Sequence, residues 1–208
     1  MPIRLLALLF ALVLPGLAGA QALFQEGTHY QRIDPPQPTQ VAQGKVEVVE
    51  VFAYTCIHCA HFEPFLASWK ARKPEHVEFR GVPAVFSPAM EPHARAFFAA
   101  EALNALDALH EPMFKAIHQE RRALATLEQI ADFAAQQGID RAAFMEAAGA
   151  SSTDLKLRRA REQAMRWRVP GTPSVIVNGK YLVQAGQGGF QGMLEVVDFL
   201  VAQEMRGN

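Results

Sequence analysis

The spacing of apolar residues changes abruptly between positions 45 and 73. The segment from Lys45 to Thr55, KVEVVEVFAYT, alternates and then becomes continuously apolar, with valine and phenylalanine enriched. This pattern is typical of a buried β-strand. The next segment, from Ala60 to Lys73, has the spacing of a helix. Its apolar residues are Phe62, Phe65, Leu66 and Trp69. The pattern predicts a strand that leads directly into a helix.

The middle of the chain, from residue 87 to residue 166, has helical spacing and few strand signals. Four stretches predict successive amphipathic helices: HARAFFAAEALNALDALHEPMFKAIHQE, LEQIADFAAQQGI, DRAAFMEAAG and STDLKLRRAREQAMRW. Pro92, Pro112, Gly138 and Gly149 separate or interrupt these stretches. We expect their Phe, Leu and Met residues to form a helical core.

A hairpin signature follows in RVPGTPSVIVNGKYLV, from Arg168 to Val183. Two β-rich runs flank Asn178 and Gly179, a pair that favours a type I′ turn. Pro173 precedes the first run directly, which makes it a candidate for a cis peptide bond. Such a bond would turn the neighbouring backbone groups towards an extended peptide. An ordinary loop proline is the alternative.

The first twenty residues have the pattern of a signal peptide. One basic residue, Arg4, precedes an apolar run that is interrupted at Pro15, and a small-residue site ends at Ala20. A retained anchor is the alternative, but the run is shorter than the ~20 apolar residues that span a membrane. We expect cleavage after Ala20, export to the periplasm or cell surface, and no stable membrane insertion afterwards.

Composition excludes several classes of protein. The chain has 208 residues, half of them apolar, and a formal net charge of −1. This length is enough for one substantial core, and the near-zero charge argues against a nucleic-acid partner. Neither intrinsic disorder nor binding through bulk charge is expected.

Cys56 and Cys59 are the only cysteines of the chain. A disulfide between them would close a very short loop and contribute little to stability. Zinc or copper binding would need further ligands, and the histidines at positions 58, 61, 93, 110 and 118 lack regular ligand spacing. Redox chemistry is the interpretation that the flanking segments favour.

The predicted junction of strand and helix suits a reactive thiol. Cys56 would lie exposed at the helix N-terminus, where unpaired N–H groups and the helix dipole favour a thiolate. Cys59, one turn later, would be buried. His58 lies between them and can stabilise the thiolate by its charge or by a hydrogen bond. The alternative for His58 is an exposed histidine without a function.

These motifs together resemble the thioredoxin superfamily and, more closely, the DsbA family of bacterial periplasmic thiol-disulfide oxidoreductases. The resemblance covers essentially the whole mature chain. Its residues are FQEGTHYQRIDP from Phe24 to Pro35, Glu50, CIHCAHFE from Cys56 to Glu63, Pro112-Met113-Phe114, Thr172-Pro173, and VNGKY from Val177 to Tyr181.

The resemblance implies a role for each matching residue at or near the two cysteines. Cys56 would be the nucleophile that forms a mixed disulfide with the substrate, and Cys59 the resolving thiol. His58 would stabilise the reduced state. Glu50 matches a buried acid that handles the Cys59 proton; an outward-facing charge on the strand is the alternative.

The loop before the hairpin would complete the site. Pro173 matches the cis-proline of the family, opposite the disulfide, and Thr172 would offer its backbone to a bound peptide. Two positions depart from the best-known members: Ile57 replaces a proline, and Thr172 replaces a valine. These positions tune the redox potential and substrate release.

The family resemblance implies an α/β thioredoxin fold with an inserted all-helical subdomain. The signal peptide would occupy residues 1 to 20, the thioredoxin-like domain residues 21 to 86 and 167 to 208, and the insert residues 87 to 166. The expected protein is a monomer without cofactor or metal.

The expected function is the introduction of disulfides into exported, unfolded polypeptides, followed by re-oxidation by a membrane partner resembling DsbB. The alternatives are a periplasmic disulfide reductase or isomerase, and a non-catalytic metal-binding or chaperone module.

Overall fold

A computed structural model of the protein describes residues 23–186 and 188–207. Its sheet has five strands, in the spatial order β1-β5-β4-β2-β3. Their bounds are β1 Tyr30–Arg32, β2 Val46–Phe52, β3 Val77–Pro83, β4 Ser174–Val177 and β5 Tyr181–Val183. Strand β2 pairs in parallel with β3, whereas the other pairs are antiparallel.

The predicted strand before the cysteines is confirmed as β2. All its residues are buried, including Glu47 and Glu50. A strand that is covered on both faces needs a nearly continuous apolar sequence, which explains why its alternation is incomplete. Strand β2 therefore supports the site from the centre of the sheet.

The helices lie between and after the strands of this sheet in the chain. Their bounds are α1 Ile57–Arg72, α2 Glu91–Ala102, α3 Leu106–His118, α4 Leu127–Gln136, α5 Arg141–Gly149, α6 Ser151–Arg166 and α7 Gly189–Gly207, and a 3-10 turn, Pro88–Met90, precedes α2. Helices α2 to α6 all fall between β3 and β4 in the chain. The division into domains stays a prediction.

One helix prediction was wrong in its boundaries. The stretch that begins at His93 forms two helices, α2 and α3, because the chain leaves the helical path after Ala102. Asn104 takes a left-handed conformation there, with φ of 53°. Pro112 lies inside α3 and does not end a helix.

Two apolar cores lie around the sheet. One joins α1 and α7 to the sheet through residues such as Phe62, Trp69 and Val197. The other joins the sheet to α2–α6 and includes Phe52, Cys59 and many of the helical Phe, Leu and Met residues. The predicted helical core is confirmed in this second cluster. Helix α1 thus begins where the two cores meet.

The hairpin between β4 and β5 has the predicted type I′ turn. Asn178 and Gly179 have φ values of 50° and 63°, and the Lys180 N–H donates to the Val177 carbonyl at 3.0 Å. A Cβ atom at Gly179 would also collide with the Gln37 carbonyl. Glycine is therefore required here by conformation and by space.

No helix within residues 23–186 and 188–207 is long and apolar enough to cross a membrane. The predicted signal peptide and its cleavage site lie outside the residues that the structure describes.

Candidate active site

The reactive pair lies where β2 passes into α1. Strand β2 ends at Phe52, and Cys56 is the N-cap of α1. The Cys56 Sγ accepts a hydrogen bond from the Cys59 backbone N–H at 3.4 Å. This bond satisfies one of the free N–H groups at the helix start and directs positive backbone dipoles at the sulfur. The predicted position of Cys56 at the helix N-terminus is confirmed, but the residue is half-buried and not exposed as predicted.

The two sulfurs differ in their access to solvent. Cys56 is half-buried, whereas Cys59 is 0% exposed, and both are free thiols. Burial raises the pKa of the Cys59 thiol, and the nearby charge of Glu50 raises it further, although a backbone hydrogen bond with Ala53 opposes the shift. Cys59 is therefore held as a neutral thiol, and Cys56 is the sulfur that a substrate can reach.

The loop before β4 reaches the cysteine pair from the far side. The Cys56 thiol donates to the Thr172 carbonyl at 3.3 Å, although the two residues are 116 positions apart. The Thr172–Pro173 peptide bond is cis, and Pro173 is buried. A side-chain hydrogen bond from Thr172 lowers the pKa of Cys59. The structure thus brings Thr172 beside both cysteines, and the buried Pro173 follows it directly.

The first turn of α1 presents two side chains to solvent beside Cys56. Ile57 is 43% exposed, and His58 is also exposed. Among the described residues, the structure records no hydrogen bond of the His58 side chain. His58 therefore lies close to the pair in sequence but has no fixed partner that would define its role.

Glu50 is buried in the centre of the sheet, behind the cysteines. It is 1% exposed, and its Oε1 atom has no hydrogen-bond partner among the described residues. Burial raises the pKa of Glu50 well above its usual range, and the charge of Glu63 raises it further, whereas Lys70 lowers it. Burial therefore favours the protonated form of this carboxyl group. The alternative of an outward-facing charge is wrong.

A polar chain that the sequence did not predict lies next to Glu50. The Tyr54 hydroxyl hydrogen-bonds with His110 Nδ1 at 2.7 Å, and His110 Nε2 lies 3.4 Å from Glu63 Oε1. His118 Nε2 donates to the Tyr54 carbonyl at 2.7 Å. One signal in the sequence could have indicated Glu63, since it follows Cys59 by four residues and so shares its helix face.

This polar chain borders a cavity of about 880 Å³ between α1 and α3. Glu50 and Glu63 line its inner part. Exposed residues at its rim, His61, Asp107, Glu111 and Lys115, connect it with solvent. Water can therefore approach Glu50 through this cavity.

In residues 23–186 and 188–207, no group of three or more His, Cys, Asp or Glu side chains could hold a metal ion. The histidines that the sequence offered as possible zinc ligands are dispersed: His93 is buried in α2, and His110 and His118 bond with Tyr54. The metal-binding alternative therefore gains no support from this part of the chain.

Comparison with known proteins identifies the family. A profile for the DSBA-like thioredoxin domain matches residues 47–193. The thiol:disulfide interchange protein DsbA of Azotobacter vinelandii is 37% identical over 207 residues, which cover 93% of this chain and 97% of that protein. The protein of the same name from Pseudomonas aeruginosa PAO1 is 34% identical over 201 residues, covering 96% of this chain and 95% of the relative.

Solved structures agree with the sequence relatives. The crystal structure of Pseudomonas aeruginosa DsbA matches with a TM-score of 0.84 at 34% identity, covering 88% of this chain and 96% of that one. The oxidoreductase DsbA from Xylella fastidiosa matches with a TM-score of 0.83 at 36% identity, covering 89% and 100% of the two chains.

This chain belongs to the DsbA family. It has the thioredoxin-like DsbA fold, as predicted, and it is a thiol:disulfide oxidoreductase. The predicted α/β architecture with a helical insertion is confirmed by these matches.

Proposed function

We propose that this enzyme oxidises pairs of cysteine thiols in exported polypeptides, with the Cys56–Cys59 disulfide as the electron acceptor. The observation that carries this proposal is the contrast between an accessible sulfur at a helix N-terminus and a buried one three residues later. A stabilised thiolate on the accessible cysteine favours the reduced enzyme and so makes its disulfide an oxidant.

The reaction has two exchange steps. A substrate thiolate attacks Cys56 Sγ, the Cys56–Cys59 bond breaks, and its electron pair goes to Cys59, which takes up a proton. The second substrate thiol loses its proton and attacks the substrate sulfur of the mixed disulfide, and Cys56 leaves as a thiolate. The substrate gains one disulfide, and the enzyme gains two electrons.

Glu50 is the proposed proton donor to Cys59 in the first step. A buried thiolate is costly, so the leaving sulfur needs a proton at once. The burial of Glu50, its raised pKa and its electrostatic effect on Cys59 support this role. His58 is the proposed stabiliser of the Cys56 thiolate, because it lies exposed in the same helical turn.

Thr172 and Pro173 are the proposed peptide-binding residues. The contact between Cys56 Sγ and the Thr172 carbonyl supports this assignment, because a bound peptide would compete for the same backbone group. An extended substrate segment could pair with the backbone of Thr172 and present its cysteine to Cys56.

The proposed location is the periplasm, reached with the signal peptide of residues 1 to 20 and its cleavage after Ala20. There the reduced enzyme would be re-oxidised by a membrane protein resembling DsbB. The proposed state is a monomer with the inserted helical subdomain of residues 87 to 166, and the proposal includes no cofactor, no metal and no nucleic-acid partner.

The testing experiment is the redox equilibrium of the mature protein in glutathione buffers, followed by thiol alkylation. An oxidase should have a potential well above that of the glutathione couple, with each tenfold change in the equilibrium constant equal to about 30 mV. A potential at or below that couple would favour the reductase or isomerase and contradict the proposal. Oxidation of a reduced peptide dithiol by the disulfide form supplies the activity readout.

A further inference from the structure

Two carboxyl groups share the cavity behind Cys59. Glu50 and Glu63 both line it, and each has a buried Oε1 atom without a hydrogen-bond partner among the described residues. Because the charges of two carboxyl groups with buried oxygens repel each other, the second ionises less readily than the first, so one retains a proton. Which of them retains it decides whether an acid stands behind Cys59.

His110 contacts only one of the two carboxyl groups. Its Nδ1 hydrogen-bonds with the Tyr54 hydroxyl, and its Nε2 faces Glu63 Oε1 at 3.4 Å. Burial raises the pKa of Tyr54 well above its usual range, so its hydroxyl keeps its proton and donates to Nδ1. The ring proton is then on Nε2, which lies near Glu63 Oε1 as an electrostatic contact and not as a hydrogen bond.

Apart from these polar contacts, the His110 ring packs against aromatic side chains. Its ring makes edge contacts with Phe52, Phe97 and Phe114, at centroid distances of 5.0, 5.8 and 5.3 Å. These rings hold the imidazole in place, and its side chain is 18% exposed. The three aromatic contacts therefore hold the imidazole ring with Nε2 near Glu63.

We propose that His110, a residue of the inserted helices, is a positioning residue that keeps Glu63 ionised and thereby leaves the shared proton on Glu50, next to Cys59. His110 acts through the two carboxyl groups and does not touch the sulfurs. The inference rests on the proposed proton transfer from Glu50 to Cys59.

The step stays balanced in protons. As the Cys56–Cys59 bond breaks, the Glu50 proton moves to Cys59, and Glu50 becomes a carboxylate that regains a proton from solvent through the cavity. Other charged groups line the same space and contribute to its potential. From α1 these are His61 and Lys70, from β3 Arg80, from α2 Glu101, and from α3 Asp107, Glu111, Lys115 and His118.

Two conservative variants separate the contacts of His110. His110→Asn retains an amide near the position of Nδ1, which can bond with Tyr54, and removes the group that faces Glu63. His110→Gln retains an N–H near the position of Nε2. Infrared titration of the reduced full chain would follow the band of a protonated carboxyl, identified by its loss in Glu50→Gln.

We expect His110→Asn to lower the midpoint of this band by about one pH unit. Without His110, Glu63 would be less ionised, and its charge would raise the pKa of Glu50 less. His110→Gln should shift it less. The matched control is His118→Asn, on the same helix and cavity but bonded with the Tyr54 backbone, and its midpoint should shift less than that of His110→Asn. Circular dichroism establishes that each variant is folded.

An unchanged midpoint in His110→Asn, or a band that disappears in Glu63→Gln and not in Glu50→Gln, would overturn the inference. The stopped-flow rate of disulfide reduction by a peptide dithiol tests the underlying function separately. Wild-type rates in Glu50→Gln would refute proton transfer by Glu50, whereas a slow Glu50→Gln with an unshifted His110→Asn band would refute only the role of His110.

Discussion

The two sides of α1 at its first turns have different environments and different chemistry. On the side of Cys56, the sulfur is half-buried, Ile57 and His58 are exposed, and the Thr172 carbonyl is 3.3 Å away. On the side of Cys59, the sulfur is fully buried and faces Glu50. Two identical side chains three residues apart thus differ in solvent access, which fits the proposed exchange with substrate at Cys56 and the proposed proton uptake at Cys59.

The largest expected effects come from replacing the two cysteines in turn. Cys56→Ser should abolish peptide oxidation, because it removes the only sulfur that a substrate can reach. Cys59→Ser should instead accumulate mixed disulfides through Cys56, visible as high-mass species that a reductant removes. If Cys56→Ser retained activity, or if both variants accumulated the same adducts, the division of roles would be wrong.

The next effect concerns stability on the buried side. The pKa of Glu50 is raised in the folded chain, so the folded state binds more protons than the unfolded one from about pH 4.5 upward. In that range, Glu50 lowers the free energy of unfolding by about 1.4 kcal/mol per pH unit, until the folded-state pKa is passed.

The variant Glu50→Gln has no carboxyl group at this position, so its free energy of unfolding should not contain this pH-dependent decrease. Its free energy of unfolding relative to the wild type should therefore rise with pH above about 4.5 and be constant below it, as measured by urea denaturation. A difference that does not depend on pH would contradict the buried, protonated state. Glu75→Gln, an exposed acid, is the control.

A smaller effect is expected on the exposed side. His58→Gln should shift the equilibrium with glutathione by about tenfold towards the oxidised enzyme, or about 30 mV, because it removes a charge beside the Cys56 thiolate. His61→Gln, exposed one turn further along α1, is the matched control. Equal shifts in both variants would indicate a general charge effect and no special role for His58.

The smallest expected effect concerns Thr172, which contacts Cys56 and also affects the pKa of Cys59. Thr172→Val removes the hydroxyl whose hydrogen bond lowers the pKa of Cys59, and it leaves the backbone carbonyl at Cys56. Because Cys59 is a neutral thiol in the reduced enzyme, losing a bond that favours its thiolate should leave the glutathione equilibrium unchanged within about twofold. A shift larger than that of His58→Gln would mean that Thr172 affects Cys56 more than Cys59.

Local patterns predicted the scaffold of the site well. Strand β2, the start of α1 at Cys56 and the turn at Asn178 and Gly179 each depend on neighbouring residues, so their period and turn chemistry were visible in the sequence. The break at Asn104 was missed because it contains no glycine or proline. Pro112 was misinterpreted because a proline in the middle of a helix, as in α3, removes a backbone hydrogen bond and can kink the helix without ending it.

The polar chain behind Cys59 could not be predicted in the same way. Tyr54 and His110 are 56 positions apart, and their hydrogen bond exists only because α3 packs against α1. The sequence offered His110 only as a possible metal ligand. Its actual partners, Tyr54 and Glu63, are given by tertiary packing, which no local pattern contains.

The order of the strands determines when the site is complete during synthesis. Strand β4 inserts between β2 and β5, yet it follows β2 in the chain only after the five helices α2 to α6. Pairings of such high sequence separation form late and slowly. A nascent chain that ends before Thr172 would contain both cysteines and the whole of α1 but lack the backbone group that contacts Cys56. The emerging protein therefore exposes its own thiols before it has the means to direct their reactivity.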